Sequence, residues 1–113
     1  MPRSSNSRNA AQKVIVYWRD IPAQVICKAG RVSAKRELDK RFITAIDACA
    51  MRAGLDQTDD YLEQWRKSDP EACGDDLEAE AASAAAAIEA AYPKERVKML
   101  IERGGFENGD QGA

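Results

Sequence analysis

The sequence contains no histidine. That absence removes the commonest general base, the commonest metal ligand and every Ser-His or Cys-His nucleophile arrangement. Lysine and carboxylate mechanisms stay open, but no arrangement of residues points to one. Cysteine is scarce: Cys27, Cys49 and Cys73 form no CxxC pair, and their spacings are unlike those of zinc sites. The opening residues, MPRSSNSRNAAQ, lack the apolar stretch of a secretion signal. An odd number of dispersed thiols without such a signal points to a reducing compartment and free cysteines. No apolar run approaches the roughly 18–20 residues needed to cross a bilayer. The acids Asp59, Asp60, Glu63, Asp75, Asp76, Glu78 and Glu80 lack the alternating ligand loop and central glycine of a calcium site. Gly30 stands alone, so there is no glycine-rich phosphate cradle. From these absences we expect a cytoplasmic protein that is not an enzyme, holds no metal or cofactor and does not enter a membrane.

What is present specifies a fold. A chain of 113 residues suits one small domain, and 44% hydrophobic with 32% charged residues is a profile that folds. Val14–Trp18 is a run of β-formers without alternation, which suits a strand covered at least partly on both faces. Pro22, in Asp20–Ala23, marks a turn, and Gln24–Lys28 reads as a second strand paired antiparallel to the first. Gly30 closes it with its freedom to take a positive φ. Ser33 is a candidate N-cap for a long amphipathic helix whose apolar stripe is Leu38, Phe42, Ile46 and Cys49, ending at Gly54. Thr58–Lys67 predicts a short helix with Tyr61, Leu62 and Trp65 on one face. A loop over 68–74 precedes an alanine-rich helix over Asp75–Ala91, readable also as a linker helix. Pro93 starts a last helix through Arg103, before Gly104 and Gly105. The expected class is α+β: an N-terminal antiparallel β-hairpin, a long amphipathic helix and about three further helices. Residues 1–12 are expected as a disordered tail, 13–104 as one domain and 105–113 as a flexible tail.

Charge is divided along the chain. Residues 1–55 hold 11 Lys and Arg against 4 Asp and Glu, a net of +7; residues 56–113 hold 6 against 15, a net of −9. The halves can compensate within one molecule, the preferred reading, or face charged partners. Arg19, Lys28, Arg31, Lys35, Arg36, Lys40 and Arg41 could form a nucleic-acid surface with Tyr17 or Trp18 stacking bases. Against it stand a pI near 5.2 and the lack of any nucleic-acid-binding motif. Trp18-Arg19-Asp20 is either a binding tip of aromatic and guanidinium, or a core tryptophan beside an Arg19–Asp20 pair; the second is preferred. Cys27 and Cys49 read as small core residues. Cys73, ahead of a helix, is the one candidate for a reactive thiol, although an inert loop cysteine is the simpler reading.

The string Tyr17-Trp18-Arg19-Asp20-Ile21-Pro22-Ala23-Gln24-Val25, followed by Arg36, Leu38, Arg41, Phe42, Ala45, Ile46, Asp47 and Ala50, resembles a bacterial domain family called simply "virulence factor". Asp60–Arg66 looks like that family's next element. The chain is also similar to the front part of longer proteins of the conserved virulence factor C type. The resemblance implies no catalytic residues, since the family name records a phenotype. The company of an iron–sulfur-scaffold-like region and helical repeats in those longer proteins implies an adaptor or assembly role. Small stand-alone members near folate and corrinoid enzymes imply, as an alternative, an accessory protein of one-carbon chemistry.

The leading expectation is a protein–protein interaction module whose partner is another protein or a second copy. Its contacts are expected at the hairpin edge, the Trp18–Gln24 connection and the basic face of the Ser33–Gly54 helix. That makes Trp18, Arg19, Asp20, Gln24, Arg36 and Arg41 the candidate contact residues. A nucleic-acid-binding module on the same basic half is the alternative, against which the acidic pI and the lack of a binding motif stand.

Overall fold

The computed structural model describes residues 10–55 and 59–107. The expected α+β class is what it shows: an antiparallel sheet with N-terminal strands, followed by helices. The sheet is larger than a hairpin. Strands β1 (Gln12–Trp18), β2 (Ile21–Ala29) and β3 (Val32–Glu37) form a meander, and β4 (Trp65–Lys67) and β5 (Glu71–Ala72) pair with the far side of β1.

The first turn is Arg19-Asp20, not the Pro22 segment, because Trp18 pairs with Ile21. Pro22 lies inside β2 at a bulge. The pairs Val16–Gln24 and Tyr17–Pro22 leave Ala23 as the extra residue, a place where a missing N–H costs no ladder bond. The second turn has two residues, Gly30 and Arg31, between the paired Ala29 and Val32. Gly30 takes φ 61°, as the first position of a II′-type hairpin turn requires.

That turn sends the chain back as β3, where a helix starting at Ser33 was expected. Ala34 is thereby buried opposite Cys27. The helix α1 (Lys40–Arg52) begins seven residues later than Ser33, and Asp39 is its cap, accepting from the Arg41 N–H at 3.1 Å. Leu38 keeps step with the helical stripe in sequence but is buried at the exit of the strand, its N–H donating to the Ala23 carbonyl at 3.0 Å. The end of α1 is where Gly54 placed it: Leu55 N–H reaches the Ala50 carbonyl and Gly54 N–H that of Met51.

The helix expected over 58–67 is cut short. Helix α2 (Asp59–Glu63) is followed at once by β4, and Thr58, its proposed cap, lies outside the described residues. Pro70 interrupts the edge between β4 and β5. Across the gap Ser68 replaces the ladder, its N–H donating to the Ile15 carbonyl and its Oγ accepting from Ile15 N–H, both at 2.9 Å. Helices α3 (Leu77–Ala91), capped by Asp76, and α4 (Lys94–Glu102) lie close to where alanine content, acids and Pro93 put them.

The two faces of the sheet are treated differently. One carries Ile15, Val25, Cys27 and Ala34, and α3 packs on it with Leu77, Ala81 and Ala85. Small side chains let that helix approach closely, so α3 is core structure and not a linker. The other face carries Gln12, Val14, Val16 and Trp18 from β1. At its Trp18 end the ring is fully buried, with Tyr61 and Trp65 in an aromatic chain beside it. Packing reaches both ends of the described chain. Ala11 is buried within the expected leading tail, and Gly105 is buried within the expected trailing one. Residues 1–9 and 108–113 of those tails lie outside the described residues. Among the described residues no helix is long and apolar enough to cross a membrane.

Candidate functional site

Three of the six candidate contact residues meet at one corner. Trp18 donates its indole N–H to the Tyr61 carbonyl at 3.0 Å and is 0% exposed, so its ring offers nothing to a partner. Arg19 holds φ 56°, a left-handed conformation rare outside glycine. The surroundings impose it. Its N–H donates to the Gln64 carbonyl at 3.0 Å, its Nε to Gln64 Oε1 at 3.2 Å and its Nη1 to the Gly104 carbonyl at 2.7 Å. The guanidinium lies between two rings, 4.9 Å from the Trp18 centroid and 4.8 Å from that of Phe106. Gly104 fits because φ 73° ends α4 there, with Gly105 N–H on the Leu100 carbonyl at 2.7 Å.

Asp20 does not pair with Arg19. Its Oδ1 accepts from Arg66 Nη2 at 3.0 Å and its Oδ2 from the Glu107 N–H at 2.8 Å. Arg66 also donates to the Arg19 carbonyl at 3.0 Å and lies 4.5 Å from the Tyr17 ring centroid. The corner is a lock: it ties the β1–β2 turn to β4 and to the segment after α4.

The other three candidates are dispersed. Arg41 donates to the carbonyls of Glu89 and Tyr92 at 2.8 Å and 3.0 Å, so it binds the C-terminal end of α3. It also donates through its backbone N–H to Asp39, which holds that carboxyl below its ordinary range. Gln24 is half-buried and lines a small cavity of about 230 Å³ with Leu38, Ile43 and Trp65. Arg36 is exposed on the face shared with Val25. The basic stretch thus does not make one surface.

A different basic surface exists. Beyond the Trp18 end, no described element covers the second sheet face, and a depression of about 780 Å³ crosses it. Its floor is Val14 and Ile26, and Lys28, Arg31, Lys35 and Lys67 surround them. Register explains the gathering. Lys28 faces Ser33, Lys35 faces Ile26, Ile26 faces Val14, and Lys67 faces Val16, all on one side of the pleat. Among the described residues none of these four cations forms an ion pair, whereas Lys13, Arg41, Arg66 and Arg96 each do. Four like charges held close over an apolar floor favour an anion there. The lining contains no aromatic side chain.

Lys28, Arg31 and Lys35 were legible as basic residues. Lys67, Val14 and Ile26 were not legible as their neighbours, because β3 and β4 had been read as helix. The third strand was the missing signal: a two-residue gap after Ala29, then Ser33, Ala34 and Lys35 alternating.

Two of the three thiols, Cys27 and Cys49, are buried, and Cys73 is half-buried. Burial pushes the Cys27 thiol up to about 11, and the neighbouring Cys73 adds to the rise. Burial likewise raises Cys49. Such thiols stay protonated at neutral pH. Among the described residues no cluster of cysteines and acids could hold a metal.

A family model described as "Virulence factor" matches residues 16–101. No curated protein and no solved structure matches the chain. The match takes in most of the chain, from within β1 to the last turn of α4, so this protein belongs to the virulence factor family.

Proposed function

We propose that this member of the virulence factor family is a protein-interaction module that docks on a partner through the open, basic half of its sheet. One observation carries the reading. The protein spends four cations, Lys28, Arg31, Lys35 and Lys67, around an apolar floor and gives none of them an internal ion pair among the described residues. By contrast Arg19, Arg41, Arg66 and Arg96 are tied down by carbonyls and carboxylates. Like charges gathered without counter-charges destabilise a fold slightly, and an acidic partner offsets that. In this reading the contact expected at the Trp18–Gln24 connection gives way to one at the β2–β3 end of the sheet.

The nucleic-acid alternative shares these cations. It lacks what single-strand binding needs beside them, since bases stack on aromatic rings and the depression has none. Trp18 is buried, and Trp65 packs against Tyr61 away from the depression. Among the described residues no arrangement of groups supports a reaction, and we read the module as non-enzymatic.

The test is affinity purification from the native host with the wild type and two variants. A stoichiometric protein should accompany the wild type, disappear from Lys28→Glu/Lys35→Glu/Lys67→Glu and remain with Lys98→Glu, an exposed charge on α4. Retention by the triple variant would refute the docking face.

A further inference from the structure

We propose that the partner's contact is an extended acidic segment that adds to the sheet as a sixth strand along β3. This rests on the docking reading above and names the chemistry of the partner. Three observations converge on it.

The first is the free edge. Among the described residues the sheet ends at β3, which pairs only with β2, and five of its six residues are exposed. Counting from the two-residue Gly30-Arg31 turn, hydrogen-bonded pairs in an antiparallel hairpin alternate. Ala29–Val32, Cys27–Ala34 and Val25–Arg36 are then the bonded pairs. The backbone N–H and C=O groups of Ser33, Lys35 and Glu37 therefore point outward, where a new strand would meet them.

The second is the coincidence of edge and charge. Ser33 and Lys35 project their side chains onto the basic depression. A strand laid beside them places alternate side chains within reach of Lys35, Lys28 and Arg31.

The third is a selection on the opposite side. Asp75, Asp76 and Glu78 at the start of α3 line a hollow with Val32, Ser33 and Ala34. Acids on the α3 side of an added strand would be repelled there, while acids on the depression side would be attracted. Along Val32–Lys35 the two faces together favour a segment acidic on the depression side and uncharged on the α3 side; beyond it, Arg36 on the α3 side and Glu37 on the depression side end that preference. Charged edge residues such as Lys35 and Arg36 also repel a second copy of β3, which makes an acidic partner strand preferable to self-pairing.

The test is an amide NMR titration of the full chain with a peptide alternating glutamate and threonine. Binding should shift the amides of Ser33, Lys35 and Glu37 and slow their hydrogen exchange. Affinity should fall by roughly tenfold or more in Lys28→Glu/Lys35→Glu and weaken with added salt. Ser33→Pro, which removes an outward N–H and leaves the cations in place, should also lose the peptide. A peptide N-methylated along one edge, used with the wild-type protein, makes the same test without altering the fold. A lysine–threonine peptide should not bind.

If the glutamate peptide binds Ser33→Pro and the N-methylated form binds the wild type, strand addition is wrong and the docking face stands. If no β3 amide moves at millimolar peptide, strand addition is wrong, and the purification above decides the docking face separately. If a thymidine oligonucleotide or phosphatidylserine vesicles shift these amides and the peptide does not, both readings fall.

Discussion

The corner around Arg19 and the open face around Lys35 both hold cationic side chains and use them in opposite ways. At the corner, Arg19 reaches Phe106, Gln64 and the Gly104 carbonyl, and Arg66 reaches Tyr17, Asp20 and the Arg19 carbonyl, contacts that join residues more than forty positions apart. On the open face, three lysines and Arg31 surround Val14 and Ile26 with no ion pair among the described residues. Residue type follows the use. Guanidinium is planar and multidentate, suited to fixed oxygens; ammonium is a mobile, well-hydrated charge. A cation satisfied within the molecule is structural. A group of cations left unsatisfied over an apolar floor is available to something outside.

The comparison breaks first if the corner is not what ties the β1–β2 turn to β4 and to the segment after α4. Trp18→Ala removes a fully buried ring, its bond to the Tyr61 carbonyl and one side of the Arg19 sandwich. The expected loss is about 3–5 kcal/mol in urea unfolding, the range for large aromatic truncations. A loss below about 1 kcal/mol would mean the corner collapses around the gap and carries little of the stability.

A smaller effect sharpens the point. Arg19→Ala should cost about 2 kcal/mol, since it leaves the Gly104 carbonyl and Gln64 without their charged donor. The backbone at φ 56° strains any Cβ by about 1–2 kcal/mol, in the wild type and in the alanine variant alike, so that strain does not enter the cost of Arg19→Ala. Arg19→Gly relieves that strain while losing the same contacts. It should therefore be the more stable of the two variants, although glycine elsewhere is the worse choice. The reverse order would show that the left-handed turn is not under strain.

How much of this was legible varies with the distance over which each feature is determined. Helix ends were legible where the signal is local: Gly54 after α1, the acids before α3, Pro93 before α4. The start of α1 was misread because two independent facts mimicked a helix. Ser33 resembles a cap, and Leu38 lies four residues before Phe42 although it belongs to the strand exit. The same coincidence hid β4, since Trp65 does pack on Tyr61, edge to face at 6.1 Å, but from a strand. The corner was legible as a motif and not as a lock. Gly104, Phe106 and Glu107 reach Arg19 and Asp20 across more than eighty residues, and no local pattern announces that. The open face needed the sheet itself, because Lys28, Lys35 and Lys67 come from three strands, two of which had been read as helix.

The smallest expected effect is the most discriminating. Lys35→Gln removes one of four neighbouring cations from a solvated position that makes no ion pair. If those cations serve the fold, the variant loses stability. If they are held for a partner, the fold gains by relief of repulsion, by a few tenths of a kcal/mol and within about 0.5 kcal/mol of the wild type. Screening supplies the control. The gain should shrink as ionic strength rises, because the Debye length falls from about 10 Å at 0.1 M salt to about 3 Å at 1 M. Arg19→Ala should show no such salt dependence, since its losses are short-range bonds beside buried rings. A destabilised Lys35→Gln, or a gain that survives high salt, would place Lys35 in the same class as Arg19. A stabilised variant that also binds its partner less well would mean that the sheet keeps an unfavourable charge cluster for recognition, at a small cost to its own stability.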